Sequence, residues 1–244
     1  MIIVMLLLCC GLGWLGGLLH RAREQAVVVN MIREHHGSVQ FAEPGWLERS
    51  GVVRPLIGDR ELAPVKGVML AFDTSNEHLS QLKKLRQLQW LTLNKTLVSD
   101  FSPLTSLRGL TALNLQQTQI SDLSPLAKLS RLEVLELEGT AVSDLSPLAG
   151  LKGLTTLDLS GTRVSDLSPL SGLSGLTMIY LQGAPVSDLS PLAGLRRLTW
   201  LYLRGTQVTN LSPLAELTNL HEIRIDRNPE VHVPDSLTKI VRRN

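Results

Sequence analysis

Serine and histidine, the residue types that most often carry chemistry, are arranged here in ways that do not suit a catalytic site. Serine and aspartate recur in a Val-Ser-Asp-Leu-Ser-Pro-Leu segment, for example at 142–148 and 164–170, so the same hydroxyl and carboxylate return every 22 residues. A catalytic nucleophile works beside its own base in a single place. The six histidines are scattered, and the sequence contains no phosphate-binding loop, HExxH or CxxC motif. We therefore expect a protein that is not an enzyme.

The residues that commonly bind metals do not indicate a metal site. Cys9 and Cys10 both lie in an apolar N-terminal stretch, which excludes disulfides and cysteine-bound zinc from the rest of the chain. The pair His35-His36 has no third ligand beside it and is interpreted as an exposed polar pair. We expect neither a metal nor a cofactor.

The recurring segment is part of a 22-residue unit that organises most of the chain. Each unit opens with a Leu-x-x-Leu-x-x-Leu-x-Leu pattern, in which isoleucine replaces leucine at 179, 223 and 225. The pattern begins at Leu85 and returns at every twenty-second residue through Leu217. A fixed period in this range indicates a solenoid, in which a unit buries its apolar face only against its neighbours. In the unit 129–150, the alternation around Leu135 and Leu137 predicts a short strand with one buried face.

The polar residues of the unit are predicted to have structural roles. Thr140 is placed to hydrogen-bond backbone groups where the chain leaves the strand. Asp144 is placed to accept from N–H groups as the N-cap of the return arm, while an alternative register makes Ser146 the cap and Pro147 the first helical residue. Both registers predict a short 3-10 or single-turn return arm.

These units, seven clear ones from 85 and a degenerate one from 63, resemble the bacterial leucine-rich repeat family, in particular its 22-residue internalin type. The resemblance covers 63–228. It implies an α/β leucine-rich repeat solenoid with a curved parallel β-sheet on the concave face and short return arms. It also implies protein recognition on that face without chemistry of its own, which is an analogy because a fold does not determine a function.

The repeat register predicts which side chains project from the concave sheet. Neighbouring units lie about 4.8 Å apart, so equivalent positions form columns of touching side chains. The first column is Trp90, Ala112, Val134, Thr156, Met178, Trp200 and Glu222. The second is Thr92, Asn114, Glu136, Asp158, Tyr180, Tyr202 and Arg224, and the third is Asn94, Gln116, Glu138, Ser160, Gln182, Arg204 and Asp226.

Two groups of concave residues are candidates for binding. Toward the C-terminus, aromatic side chains lie beside methionine and arginine, which is the composition of interface hot spots. This predicted partner-binding group is Met178, Tyr180, Trp200, Tyr202, Arg204 and Arg224. A secondary acidic patch directly N-terminal to it consists of Glu136, Glu138 and Asp158. The alternative interpretation is that the tyrosines only stabilise cross-strand pairs and the acids keep the face soluble.

These columns favour a scaffold that binds a protein partner on its concave sheet, and residues 1–19 predict that this scaffold is anchored in a membrane. Two alternatives stay open: a carbohydrate-binding module that uses the same aromatic platform, and a purely structural envelope protein. The net charge of +2 and the 19 % of charged residues give no reason to expect a nucleic-acid partner. We expect a monomer.

Residues 1–19 are predicted to form a single transmembrane anchor. They carry no charge and, at about 1.5 Å per residue in a helix, reach close to the thickness of the bilayer hydrocarbon core. A cleaved signal peptide and a lipoprotein signal are the alternatives, although a basic start and an A-x-A-like cleavage site are missing. Arg21 and Arg23 directly follow the segment, and the positive-inside rule would then keep the repeats in the cytoplasm. A true start upstream of Met1, with its own arginines, and the internalin resemblance instead favour repeats on the external side of the membrane. We expect the repeats outside the cytoplasm.

The segment between this anchor and the repeats, 20–62, is predicted to be a helical stalk and N-terminal cap. It contains a helix over 21–36 with Gly37 as the C′ residue that stops it, and a strand over 38–43. The apolar residues within 46–57 are expected to cover the open end of the solenoid.

The first and last repeats are predicted to depart from the regular unit. The degenerate first unit contains a strand over 65–72 and a helical return arm over 78–85. At the other end, 229–244 form a C-terminal cap in which Asp235 is the N-cap of a closing helix that runs to Arg243.

Overall fold

The part of the chain that the structure describes winds into one ten-stranded sheet. The computed structural model describes residues 17, 20–42, 63–226 and 230–243. Consecutive strands are neighbours throughout; the first pair is antiparallel and all later pairs are parallel. The strands are β1 (Ser38–Phe41), β2 (Val65–Met69), β3 (Trp90–Thr92), β4 (Ala112–Asn114), β5 (Val134–Glu136), β6 (Thr156–Asp158), β7 (Met178–Tyr180), β8 (Trp200–Tyr202), β9 (Glu222–Ile225) and β10 (Val241–Arg243). Stacked units produce such a sheet, and the predicted parallel solenoid is confirmed.

The N-terminal helix α1, over 20–34, packs on the first coil. Val28, Val29 and Ile32 are buried in the same core as the repeats. The helix ends in a Schellman motif, since the Gly37 N–H donates to the Ile32 carbonyl at 2.8 Å and His36 has a φ of 58°. The prediction of Gly37 as the left-handed C′ residue is therefore wrong, because His36 occupies that position. Glycine is required at 37 for space, since a Cβ there would lie 2.8 Å from the Met69 carbonyl oxygen.

The return arms are short, as predicted. The 3-10 turns are Leu82–Lys84, Ser102–Ser106, Ser124–Leu126, Ser146–Leu148, Ser168–Leu170, Ser190–Leu192, Ser212–Leu214 and Asp235–Leu237. The first arm also contains the helix α2 (Asn76–Gln81), which starts two residues earlier than predicted because the Ser75 N–H donates to His78 Nδ1 at 3.1 Å. Proline fits the Ser-Pro-Leu turns because the first turn needs no N–H donor.

The apolar positions of each unit fill a continuous core. In the unit 129–150, seven apolar side chains are at most 1 % exposed, including the predicted inward-facing Leu135 and Leu137. They are Leu129, Leu132, Leu135, Leu137, Val142, Leu145 and Leu148. Removing any one of these side chains would leave a cavity between coils. A shift of one residue in the strand register would expose them, so the core determines the register and thereby the columns on the opposite face of the sheet.

Threonine and aspartate bind backbone groups within their own unit. The Thr140 hydroxyl donates to the Leu137 carbonyl at 2.7 Å, as predicted. Asp144 Oδ1 accepts from the Ser146 N–H at 2.8 Å, but the residue that caps the 3-10 turn is Leu145. The predicted acceptance by Asp144 from an N–H at the start of the return arm is confirmed. The cap position is wrong in both predicted registers, since Leu145 lies one residue after Asp144 and one before Ser146.

The third residue after each of the strands β3 to β8 adopts a left-handed conformation. Gly139, Gly161, Gly183 and Gly205 have φ between 64° and 72°. In the two preceding units Lys95 and Gln117 occupy the same position, with φ of 60° and 55°. Glycine adopts this conformation without the steric cost that a Cβ brings, so the first units carry a small conformational penalty that the later ones avoid.

The C-terminal end closes with a strand. The predicted closing helix over Asp235–Arg243 is wrong: three residues, Asp235–Leu237, form a 3-10 turn after Pro234, and β10 then pairs with β9. Without β10, the edge of β9 would expose unpaired backbone groups. Pairing satisfies them; for example, the Ile223 N–H donates to the Ile240 carbonyl at 3.0 Å.

Some predictions fall outside the part of the chain that the structure describes. These are the anchor over 1–19, apart from Gly17, and the apolar cap residues within 46–57. Among the described helices, none combines the length and apolar composition needed to cross a membrane.

Candidate functional site

Strand pairing aligns the outward side chains in the columns that the repeat register predicts. Met178 pairs with Trp200, and Tyr180 pairs with Tyr202. The next coil continues both columns, since Trp200 pairs with Glu222 and Tyr202 with Arg224. The alternation that buries Ile179 and Leu201 therefore directs their sequence neighbours away from the core, onto the face of the sheet that was predicted to be concave.

The structure brings the predicted aromatic residues into direct contact. The rings of Tyr180 and Tyr202 are stacked, with centroids 4.6 Å apart and planes 7° from parallel. The Arg224 guanidinium lies over the other face of Tyr202, 5.3 Å from the ring centroid. Tyrosine and arginine thus form a continuous stack over three coils, in which both faces of the central ring are covered.

Met178 and Trp200 extend this stack sideways on the first column. The Tyr180 hydroxyl donates to the Met178 sulfur, and Trp200 remains 37 % exposed. The Trp200 ring faces His221 at a centroid distance of 6.2 Å. Met178, Tyr180, Trp200, Tyr202 and Arg224 together are called the aromatic cluster. His221 was not among the predicted site residues, because it precedes β9 and reaches the cluster only through the orientation of its ring.

Ion pairs hold the arginines at the margin of the aromatic cluster. Arg224 pairs with Glu222, and Arg204 Nε lies 3.9 Å from Asp226 Oδ1. The hydrogen bond from Arg224 to Glu222 and the charge of Glu222 raise the pKa of Arg224. Glu222 and Asp226 were absent from the predicted site, although period-2 alternation places each acid on the same face as its arginine. Arg204 contacts Asp226 and does not join the stack.

Burial affects the titration of Tyr180, the tyrosine at the N-terminal end of the stack. It raises the pKa of Tyr180, and the neighbouring Tyr202 raises it further. The phenol is therefore neutral at physiological pH and remains a hydrogen-bond donor.

The acidic patch lies on the preceding coils with different partners. Asn114 Nδ2 donates to Glu136 Oε2, and Asp158 Oδ1 accepts from the Ser160 N–H at 2.9 Å. Burial raises the pKa of Glu136, with additional contributions from Asp158 and Glu138. Within the described residues, no lysine or arginine forms an ion pair with these three acids, and no group of three or more potential metal ligands is found.

Comparisons with known proteins agree with this architecture. The family model "Leucine Rich repeats (2 copies)" matches residues 108–150 and 152–194. Internalin C2 from Listeria monocytogenes is 36 % identical, and the alignment covers 69 % of this chain and 75 % of that one, with a TM-score of 0.64. A second Listeria monocytogenes internalin, inlF, is 33 % identical over 73 % of this chain and 53 % of its own, with a TM-score of 0.63.

A leucine-rich repeat protein from Leptospira interrogans shares the fold at 24 % identity, with a TM-score of 0.65 over 76 % of this chain and 50 % of its own. No curated protein matches the sequence. Proteins built from such repeats generally use the extended surface of the solenoid as a scaffold for protein interaction. The family match and the identity shared with internalin C2 over three quarters of its chain show that this chain belongs to the leucine-rich repeat family, with internalins among its structural neighbours.

Proposed function

We propose that this chain is a scaffold that binds a protein partner on the concave sheet through the aromatic cluster. The observation that carries the proposal is the stack of Tyr180, Tyr202 and Arg224 beside the exposed Trp200. Tyrosine, tryptophan and arginine are the residue types that dominate binding energy at protein interfaces.

The geometry supports this role because the cluster is already ordered. Stacking and the Arg224–Glu222 pair restrict the side chains to one arrangement before a partner arrives. Side chains that are already immobile lose little conformational entropy on binding, which favours affinity. The exposed Trp200 then offers apolar area at the edge of a rigid platform.

The carbohydrate-binding alternative is less consistent with the stack. Sugars bind aromatic side chains by packing on ring faces, but Tyr180 and Arg224 cover the two faces of Tyr202. A glycan array probed with the full chain distinguishes the two functions, since a protein-binding scaffold should bind no glycan through the cluster.

The double variant Trp200→Ala, Tyr202→Ala tests the proposal. The full chain, its double variant and a matched control, Asn94→Ala, Thr156→Ala, are expressed at equal levels and cross-linked in cells. The parent and the control should capture the same protein, identified by mass spectrometry, while the double variant should lose it and keep its far-UV spectrum. Unchanged capture by the double variant would contradict the proposal, and would fit a purely structural envelope protein.

We also propose that residues 1–19 anchor the chain in a membrane with the repeats outside the cytoplasm. The uncharged composition and length of this segment support the anchor. Protease added to cells whose outer layer has been permeabilised should digest the repeats. Protection of the repeats until the cells are lysed would place them in the cytoplasm instead.

A further inference from the structure

We propose that the concave sheet has a second subsite, centred on Ala112, which takes one lysine or arginine side chain of the partner. This inference rests on the proposed function and specifies the chemistry of its partner. The subsite is a cavity of about 230 Å³ on β3, β4 and β5. Its lining is Trp90, Leu91, Thr92, Ala112, Leu113, Asn114, Val134 and Glu136.

The cavity exists because of two small residues, Ala112 and Gly67. Ala112 lies between the larger Trp90 and Val134 on the first column. The Trp90 indole leans in the other direction, over Gly67, where a Cβ would lie 1.6 Å from Trp90 Cε2. Glycine at 67 thus lets the ring fold away from Ala112 and leaves open space above the alanine. The volume is below the 300 Å³ or so typical of small-molecule pockets, so it fits a single side chain better than a cofactor.

The polar wall of the cavity carries a negative charge without a cationic partner. Asn114 holds Oε2 of Glu136 in place, and Glu138 and Asp158 add negative charge beside it. On the described surface no lysine or arginine pairs with these acids, whereas Glu222 and Asp226 four coils away are each paired with an arginine. The charge at Glu136 is therefore available to a partner.

A basic side chain satisfies both walls of the cavity. Its ammonium or guanidinium group would pair with Glu136, and its aliphatic stem would lie in the open space above Ala112 beside Val134. An apolar side chain would desolvate Glu136 without giving it a hydrogen bond, which is unfavourable. An acidic side chain would meet three carboxylates of the same sign. Charge and shape together select a cation.

The two subsites also set a spacing for the partner. Ala112 on β4 and Trp200 on β8 are four coils apart, which corresponds to about 19 Å at 4.8 Å per coil. An extended peptide that crosses the strands covers about 3.3–3.6 Å per residue, so roughly six residues would separate its basic side chain from the one that contacts Trp200.

Titration with acetyl-arginine amide tests the subsite independently of the natural partner. Binding to the full chain is followed by NMR through the Trp90 indole N–H and the Asn114 side-chain amide. Glu136→Gln keeps an acceptor for Asn114 but removes the charge, and Ala112→Leu fills the cavity without changing the charge. Each should weaken binding by about tenfold or more. Glu133→Gln removes one charge outside the cavity and should leave binding unchanged.

Equal binding by Glu136→Gln or Ala112→Leu would overturn the subsite, as would equal binding of the uncharged acetyl-norleucine amide. The aromatic variant Trp200→Ala, Tyr202→Ala should bind acetyl-arginine amide like the parent chain. If that variant also still captures the partner in cells, the proposed function fails while the titration continues to decide on the subsite.

Discussion

The two ends of the concave sheet share one backbone but differ in how their side chains are partnered. Toward the C-terminus, Arg224 pairs with Glu222 and covers Tyr202, and Arg204 pairs with Asp226, so charges are neutralised around a rigid aromatic stack. Toward the N-terminus, Glu136 is held by an amide, Asn114, and borders an open cavity. The same register therefore presents an apolar platform at one end and an unpaired charge at the other.

The inward side chains show no such difference. Leu113, Leu135, Leu157, Ile179 and Leu201 occupy one equivalent position in successive strands, and each is at most 1 % exposed. The core keeps the coils in register, while the outward columns vary with little effect on packing. Repeat proteins separate stability from recognition in this way, because each coil contacts its neighbours through a constant interior.

The largest predicted effect is the loss of stability when this shared interior is interrupted. Leu113→Ala and Leu201→Ala should each lower the free energy of unfolding by about 2–5 kcal/mol, by similar amounts at the two ends. Urea unfolding of the full chain in a mild detergent, followed by circular dichroism, measures both. Val134→Ala, on the outer face, should cost clearly less. A much smaller loss at one end would show that the ends differ in core packing as well.

The next largest effect is a loss of partner binding, and it should occur only at the C-terminal end of the sheet, where the aromatic cluster lies. Tyr202→Ala alone should weaken capture of the partner by about 2 kcal/mol or more, roughly 30-fold, because it removes the centre of the stack. Asn94→Ala, on the third column near the N-terminal end, should change affinity little. Titration of the partner against the immobilised chain gives both values. Comparable losses from both substitutions would mean that binding is not concentrated at the aromatic end.

The left-handed position three residues after each of the strands β3 to β8 offers a stability test whose sign differs between an early coil and a later one. Gln117→Gly should stabilise the fold by about 1 kcal/mol because it relieves a Cβ at positive φ, and Gly161→Gln should destabilise it by a similar amount. The site at Gly161 has space, since a Cβ added there would lie 3.6 Å from its nearest neighbouring atom. Thermal unfolding of the two variants gives the comparison. A destabilising Gln117→Gly would show that its side chain makes contacts that outweigh the conformational cost.

The smallest predicted effect is the pH dependence at the acidic end. Because burial raises the pKa of Glu136 above its ordinary value of 4.5, the charged form is the one that the fold disfavours. The stability that this group contributes is fully present below the unfolded-state pKa and is lost as the pH rises through the folded-state pKa. Glu136→Gln should therefore be slightly more stable than the parent chain at pH 7, with the difference vanishing below about pH 4.

Thermal melts of the parent chain and Glu136→Gln between pH 3 and pH 7 check this sign, and Glu133→Gln serves as the control. A variant that is less stable than the parent at pH 7 would contradict it, because Glu136 would then be stabilised by a charge or hydrogen bond that favours its ionised form.

The regular part of the molecule was predictable because its period constrains every coil alike. Leu135 and Leu137 must face inward, so Val134 and Glu136 must face outward, and the columns follow from this alternation. Tyr180 and Tyr202 could therefore be placed side by side from the repeat register alone. Their stacking angle and the pairing of Arg224 depend on rotamers, which the repeat period does not determine.

The irregular ends were less predictable because tertiary contacts decide them. Val241–Arg243 form a strand since the edge of β9 lies open beside them, although the local sequence also suits a helix. His36 adopts the left-handed conformation that the sequence assigned to Gly37, and Gly37 approaches the Met69 carbonyl oxygen too closely for a Cβ. The cavity at Ala112 was missed for a similar reason, since it depends on the direction in which Trp90 leans.

The most direct test of concave-face binding is site-specific photo-cross-linking in cells. A photoreactive phenylalanine analogue is placed at Gln182, on the concave face beside the aromatic cluster, and in a separate variant at Lys128, which is exposed on a return arm. Binding on the concave sheet predicts a covalent adduct with one protein from position 182 and none from position 128. An adduct with the partner from position 128 and none from position 182 would contradict it and place binding on the return arms.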